Sequence, residues 1–216
     1  MSAAEAKPEF ERKRAFVTGG SRGIGRAVCI ELARGGADVA FIYRSRDAEA
    51  EETLAQLRAL GRRGLAIKAD LAQASAVAAG VERAAAELGG MDVLVHAAGA
   101  MVDWRPVADI AIEEWDRYLA VDLSGAFYVL RSGLPHLRRA GGGAIVAIGL
   151  TDTDMGRAAF AAWGPETTQR VIRGIPLQRI GTPEEVARVV CFLAGSGGAY
   201  ITGKVLQVDG GQIIAA

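Results

Sequence analysis

From Arg14 onward the chain alternates short apolar runs with stretches of helical spacing. Ala15-Phe16-Val17 reads as a strand, and apolar positions recur at helical intervals from Gly23 to Ala33. Val39 to Tyr43 is continuously apolar, as a strand covered on both faces must be. Glu49 to Leu60 predicts an amphipathic helix with Leu54, Leu57 and Leu60 on one side. Gly64 to Ala69 predicts a third strand, Ala74 to Leu88 an alanine-rich helix, and Val93 to Val95 a fourth strand. A long helix is expected over about Ile112 to Arg139, and a fifth strand over Ala144 to Ile148. Strands alternating with helices pair in parallel through right-handed crossovers, so the fold class is α/β with a doubly wound parallel sheet. The last third is richer in helix. Thr182 is an N-cap, Pro183 occupies the first helical position and Glu185 completes a capping box, with Val186, Val189, Val190 and Leu193 turned inward. Val205 to Val208 predicts a last strand, ending at Asp209-Gly210-Gly211. No repeat or linker divides the chain, which reads as a polar, flexible tail (1–12) and one domain (13–216).

Half of the residues are hydrophobic, enough for a full core. Lys+Arg and Asp+Glu balance at 25 each, which argues against nucleic acid or an anionic membrane as a partner. No apolar run reaches the roughly 18 residues of a membrane span. The first residues lack the apolar centre of a signal peptide, so a cytoplasmic location is expected. Cys29 and Cys191 fall in apolar helical patterns and read as buried free thiols. With His96 and His136 the only histidines and no cysteine cluster, no metal site is expected.

The chemistry begins after the first strand, in Thr18-Gly19-Gly20-Ser21-Arg22-Gly23-Ile24-Gly25. Glycines at 19, 23 and 25 let the backbone turn sharply and approach a pyrophosphate, and the next helix offers unpaired N–H groups to the anion. A strand before and a helix after give the motif its meaning. The spacing Gly-x-x-x-Gly-x-Gly resembles the short-chain dehydrogenase/reductase family. The resemblance continues in Asp70-Leu71, in His96-Ala97-Ala98-Gly99, in Val121-Asp122-Leu123-Ser124-Gly125 and in Leu150-Thr151-Asp152-Thr153-Asp154-Met155. It resumes in Gly181 to Ala187, in Tyr200-Ile201-Thr202-Gly203 and in Val208 to Gly211, and so covers about residues 13–211. The nearest look-alikes are bacterial 3-oxoacyl-carrier-protein reductases and related ketoreductases. The resemblance implies a Rossmann domain and places Gly19, Ser21, Arg22, Gly23, Ile24, Gly25, Arg44, Ser45, Asp70, Leu71, Ala97, Ala98, Gly99, Thr151 and Thr153 on a nicotinamide cofactor, with Asp70 at its adenine.

The choice between NADP(H) and NAD(H) turns on the end of the second strand. An NAD site sets Asp or Glu there for the ribose hydroxyl. Here the strand ends Phe41-Ile42-Tyr43-Arg44-Ser45, with Asp38 before it and Asp47 after the turn. Arg44 and Arg22 suit the forks of a 2′-phosphate clamp, which favours NADP(H) over NAD(H). Taken singly, each is also readable as a solvated surface charge.

The family reduces carbonyls with a serine, a tyrosine and a lysine, the tyrosine and lysine four residues apart on one helix face. That segment is absent. After Gly149 the chain passes directly to Leu150, whose motif resembles the stretch following the family's sixth strand, so roughly 30 or more residues, a helix plus a strand, are missing. Two accounts stay open. In one the protein has lost the segment, and the sheet either opens or closes up by about two strand spacings. In the other the segment belongs to the protein, and the sequence is closed up across it. The lysines are Lys7, Lys13, Lys68 and Lys204. Tyr200 and Lys204 carry the right spacing, but Gly203 lies between them and the stretch leads into a strand, so they read as no catalytic pair. Two further departures follow from the resemblance. His96 replaces the family's asparagine in the strand-four turn, and Asp122 replaces its catalytic-helix asparagine, which holds a relay water. Asp122 is thus the one catalytic-site residue expected here.

Two functions follow. One is an NADP(H)-dependent oxidoreductase interconverting a ketone or 3-oxoacyl group and an alcohol; the other is a catalytically dead nucleotide-binding or scaffold protein. The expected partners are a small carbonyl or alcohol substrate and other copies of the chain, as a homotetramer. Met101–Val107 and Met155–Arg173, with Trp104, Phe160 and Trp163, are candidate substrate contacts and equally candidate packing residues.

Overall fold

The computed structural model describes residues 8–100, 107–148 and 154–211, with side chains in the last stretch from residue 164. Five parallel strands form one sheet: β1 (Arg14–Thr18), β2 (Asp38–Tyr43), β3 (Gly64–Lys68), β4 (Val93–His96) and β5 (Ala144–Ala147), in the order β3-β2-β1-β4-β5. The intervening helices are α1 (Gly23–Arg34), α2 (Asp47–Ala59), α3 (Ala74–Leu88), α4 (Ile112–Tyr118) and α5 (Gly125–Arg139). After β5 come α6 (Asp154–Arg173) and α7 (Pro183–Ala194). This is the α/β doubly wound parallel sheet that the alternation predicts.

The strand period of two divides the core. Ala15, Val17, Val39, Phe41, Val93 and Val95 pack on one face with α1, α2 and α7. Phe16, Ala40, Ile42 and Leu94 pack on the other with residues of α3 and α5. β1, β2 and β4 are thereby covered on both sides, which is why their centres are continuously apolar. The N-terminal stretch joins this core earlier than Lys13. Phe10 is buried, its N–H donates to the Gly35 carbonyl at 2.7 Å, and Glu9 accepts from the Ser196 N–H and hydroxyl, both at 2.8 Å.

Two elements differ from expectation, and α6 is one the sequence does not predict. The long helix over 112–139 is interrupted by a π-helical turn, Leu119–Ser124, which joins α4 to α5. α6 breaks at Gly164 (φ 76°, ψ 169°), with Pro165 opening its second half. Val205–Val208 is not a strand. A strand needs a neighbour to complete its backbone hydrogen bonds. Val205–Val208 pairs with none of the described strands, and Val205 lies 95% exposed. The sheet is left open at β5. The Thr182 capping box forms as predicted, with the threonine hydroxyl accepting from the Glu185 N–H at 3.3 Å and the Glu185 carboxylate from the Thr182 N–H at 2.8 Å.

Candidate functional site

The strand order reverses between β1 and β4, and the loops that leave their carboxyl ends diverge there. A cavity of ≈ 750 Å³ opens at this point. Its floor is the glycine loop. Gly19 has φ 76°, and a Cβ there would come within 3.0 Å of the Ala98 backbone. A Cβ on Gly25 would run into the Gly19 carbonyl. The loop is braced from behind. Arg26 donates to the Ser21 carbonyl at 2.9 and 2.6 Å and to the Glu49 carbonyl at 2.9 Å, and the buried Thr53 hydroxyl sits 3.1 Å from the Gly20 carbonyl. The start of α1 is unclaimed: its N-cap, Arg22, makes no side-chain cap bond, and its first turn holds no acid. Free N–H groups at a glycine-lined helix start suit a pyrophosphate.

All the predicted site residues that are described line this one cavity: Gly19, Ser21, Arg22, Gly23, Ile24 and Gly25 from the glycine loop, Arg44 and Ser45 after β2, Asp70 and Leu71 after β3. Ala97, Ala98 and Gly99 after β4 and Asp122 on the π turn complete the set. Thr151 and Thr153 lie outside the described residues, as do Trp104 and the side chains of Phe160 and Trp163. Ala100, Arg117, Tyr118, Val121 and Ile148 also line the cavity and are not among the residues the sequence singles out. Of these, Arg117 has a retrospective signal: it stands five residues before Asp122 on a segment already assigned to the site.

Arg22 and Arg44 are exposed at the cavity, and neither guanidinium forms a hydrogen bond or ion pair among the described residues. The two acids that flank the second strand are committed elsewhere. Asp47 binds Lys68 at 2.8 Å and the Tyr43 hydroxyl at 2.9 Å, and Asp38 binds Arg63 at 2.7 Å. Neither Asp38 nor Asp47 lines the cavity.

His96 sits below the β4 loop, buried, with Nδ1 3.1 Å from the Thr18 hydroxyl oxygen. That oxygen also accepts the Ala97 and Ala98 N–H groups, each at 3.1 Å. Its acceptor positions are then taken, so its single proton goes to Nδ1 and the imidazole carries its own proton on Nε2. Burial lowers the His96 pKa, and the nearby Asp122 charge opposes this only in part. A neutral ring with Nδ1 engaged is a lock between β1 and β4, and it has no mobile proton to give at neutral pH. Asp122 accepts the Ala100 N–H at 2.6 Å. Tyr200 is fully exposed, and residues 201–204 are not helical, so Tyr200 and Lys204 share no helix face. No lysine lines the cavity. The two cysteines are free thiols on the packed helices α1 and α7; burial pushes both up, Cys191 to about 12.

Among the described residues no group of three metal-ligating side chains gathers, and no helix is long and apolar enough to cross a membrane. The pattern of the short chain dehydrogenase family matches residues 13–164, and that of the enoyl-(acyl carrier protein) reductases matches residues 144–212. A short chain dehydrogenase/reductase of Aspergillus aculeatus is 32% identical over 249 positions, covering 91% of this chain and 94% of that protein. A 3-oxoacyl-[acyl-carrier-protein] reductase of Staphylococcus aureus is 30% identical over 241 positions, covering 93% and 98%. Since 91% of 216 residues is about 197 and 93% about 201, some 50 and 40 aligned positions of these relatives face no residue of this chain. A structure of a Burkholderia cenocepacia short chain dehydrogenase in complex with NADP superposes with a TM-score of 0.83 at 31% identity, covering 94% of this chain and 99% of that one. By sequence pattern, by relatives along nearly its whole length and by fold, the chain belongs to the short-chain dehydrogenase/reductase family of oxidoreductases.

Proposed function

We propose that the cavity binds NADP(H) in preference to NAD(H), and that the protein is an NADP(H)-dependent oxidoreductase acting on a ketone or 3-oxoacyl carbonyl, or on the corresponding alcohol. One observation carries the cofactor reading: two unpaired guanidinium groups, Arg22 and Arg44, stand at the cavity while both nearby acids are held in other ion pairs. The glycine loop and open helix start fit the pyrophosphate, Ala97, Ala98 and Gly99 leave space beside β4, and Asp70 supplies an acceptor for adenine. Thr151 and Thr153 are proposed on the nicotinamide side, and Asp122 as the water-organising residue. When bound, the cofactor supplies or accepts a hydride. A desolvated charge-assisted contact contributes about 1.5–3 kcal/mol, so NADPH should bind about ten- to a hundredfold more tightly than NADH. Titration of both, on wild type and Arg44→Ala, tests this; equal affinities in wild type overturn it.

The site also favours a second reading for the 216-residue chain, a nucleotide-binding protein without turnover. Carbonyl reduction needs a proton for the nascent alkoxide, and although Tyr43 and Tyr118 line the cavity, it offers no lysine to pair with a tyrosine, a neutral His96 and an engaged Asp122. Loss of general acid catalysis costs about 10²–10⁴-fold in rate. We therefore expect no measurable NADPH oxidation with β-ketoesters or quinones from protein whose intact mass is 22.6 kDa. Turnover from a heavier species, larger by several kilodaltons, would restore the oxidoreductase reading; turnover at 22.6 kDa would place the chemistry on His96, Asp122 or Tyr200.

Self-association, as a tetramer built from dimers, belongs to the same proposal, as does a cytoplasmic location. Ile112, Trp115, Leu119, Leu123, Phe127 and Leu134 form a stripe along α4, the π turn and α5, each side chain between 37% and 71% exposed. The stripe is symmetric about Leu123: Leu119 and Phe127 lie four residues either side, Ile112 and Leu134 eleven. Two copies packed antiparallel would match it to itself, as a two-fold contact requires.

A further inference from the structure

Asp70 and Arg117 reach each other across the cavity from elements 47 positions apart in sequence. Arg117 Nη2 donates to Asp70 Oδ1 at 3.0 Å and to Oδ2 at 2.9 Å. The Ala72 N–H donates to Oδ1 at 3.0 Å. A carboxylate has about four acceptor positions, so Oδ1 is full and a single position remains on Oδ2. Burial alone would raise the Asp70 carboxyl; the Ala72 N–H, Arg117 and, at longer range, Arg44 outweigh it and hold the group ionised below the usual range. Arg117 is itself held in place. It sits in α4, which runs directly into the π turn, and five residues on Asp122 binds the Ala100 N–H at 2.6 Å. One helical segment is thus tied both to the loop after β3 and to the loop after β4.

We propose that Arg117 is a positioning and specificity residue at the adenine end of the cavity: it fixes the Asp70 carboxylate with one acceptor position open, and so selects a purine that presents an amino donor. This rests on the cavity's being the NADP(H) site. An adenine amino group satisfies the open acceptor, whereas the carbonyl of hypoxanthine at the same ring position meets it oxygen to oxygen. Without the guanidinium the carboxylate keeps only the Ala72 bond and turns to water, and the discrimination falls.

The test is equilibrium binding of NADPH and of its hypoxanthine analogue to wild type, Asp70→Ala, Arg117→Ala and Arg117→Met. The methionine variant keeps the long apolar stem of a helix-favouring residue and guards against a folding defect. Wild type should prefer the adenine form by about tenfold or more, the loss expected for one hydrogen bond to a charged group. Asp70→Ala should abolish the preference, and either Arg117 variant should reduce it to threefold or less. Arg117 variants that keep the wild-type preference overturn the inference, as does a wild type that binds both forms equally well. A wild type that binds neither dinucleotide overturns the NADP(H) reading and this inference with it.

Discussion

The stretch from β1 to β4 and the stretch from β5 to Gly211 have similar fractions of apolar residues in their strand-like segments, but only the first is closed. Phe16, Val17, Val39, Phe41 and Leu94 have no solvent exposure, whereas Ile145 on β5 is 41% exposed and Leu206 is 54% exposed. The difference lies in the neighbours. Each of β1, β2 and β4 has a strand on both sides and helices on both faces; β5 has a strand on one side only. The cavity is built almost wholly from the closed part, at the ends of β1 to β4. The residues proposed to hold the cofactor thus stand on the closed part, away from the open edge of β5.

The largest expected effect that sharpens this comparison is on core truncation. Leu94→Ala removes a buried side chain between α3 and α5 and should destabilise the fold by about 2–5 kcal/mol. Leu206→Ala, in the open stretch, should stay within about 0.5 kcal/mol, the range of ordinary surface substitutions. Denaturant melts of the two variants check it. A Leu206 variant as costly as the Leu94 one would mean that the carboxyl-terminal stretch is packed in solution as tightly as the first four strands.

The proposed subunit contact stands between the two regions, since the exposed stripe lies on the helical segment that links them. Leu123→Glu places two like charges at the centre of the antiparallel seam and should convert the dimer to monomer in sedimentation, with the melting profile little changed. A wild-type protein that sediments as a well-behaved monomer breaks the seam outright.

What the sequence makes legible follows the same division. Periodicity and glycine spacing are local signals, and the elements they predict between Arg14 and Leu88 match the structure to within two residues at each end. The fourteen described site residues were within reach because each follows a strand or sits on the long helix. Val205–Val208 shows the limit. Its apolar character predicts a strand, but pairing is a property of two segments, and none of the described strands pairs with it. Arg117 is marked locally only by standing five residues before Asp122; its meaning comes from Asp70, across the cavity. The π turn is likewise hidden in a sequence that reads as one continuous helix.

The smallest effect expected is on pH. His96 is buried neutral, and its folded pKa lies below the value of about 6.5 that it takes in an unfolded chain. Between those two values the unfolded state binds more protons than the folded one, so stability rises with pH there. The contribution is complete above pH ~6.5 and is lost as pH falls through that window toward the folded pKa. Protonation of Nδ1 would set a proton against the Thr18 hydroxyl, which must then turn away and leave the ring without its partner. The β1–β4 junction under the glycine loop should therefore weaken in mild acid before the carboxylates titrate. Asp92, held below the usual range because Arg14 and Lys13 outweigh its burial, adds its own loss only at lower pH. His96→Asn removes the titrating group while keeping a side chain that can meet the Thr18 hydroxyl. Thermal melts from pH 7.5 to 5 should show a steeper decline for wild type than for His96→Asn; parallel declines would mean that His96 stays neutral, or is already charged, throughout that range.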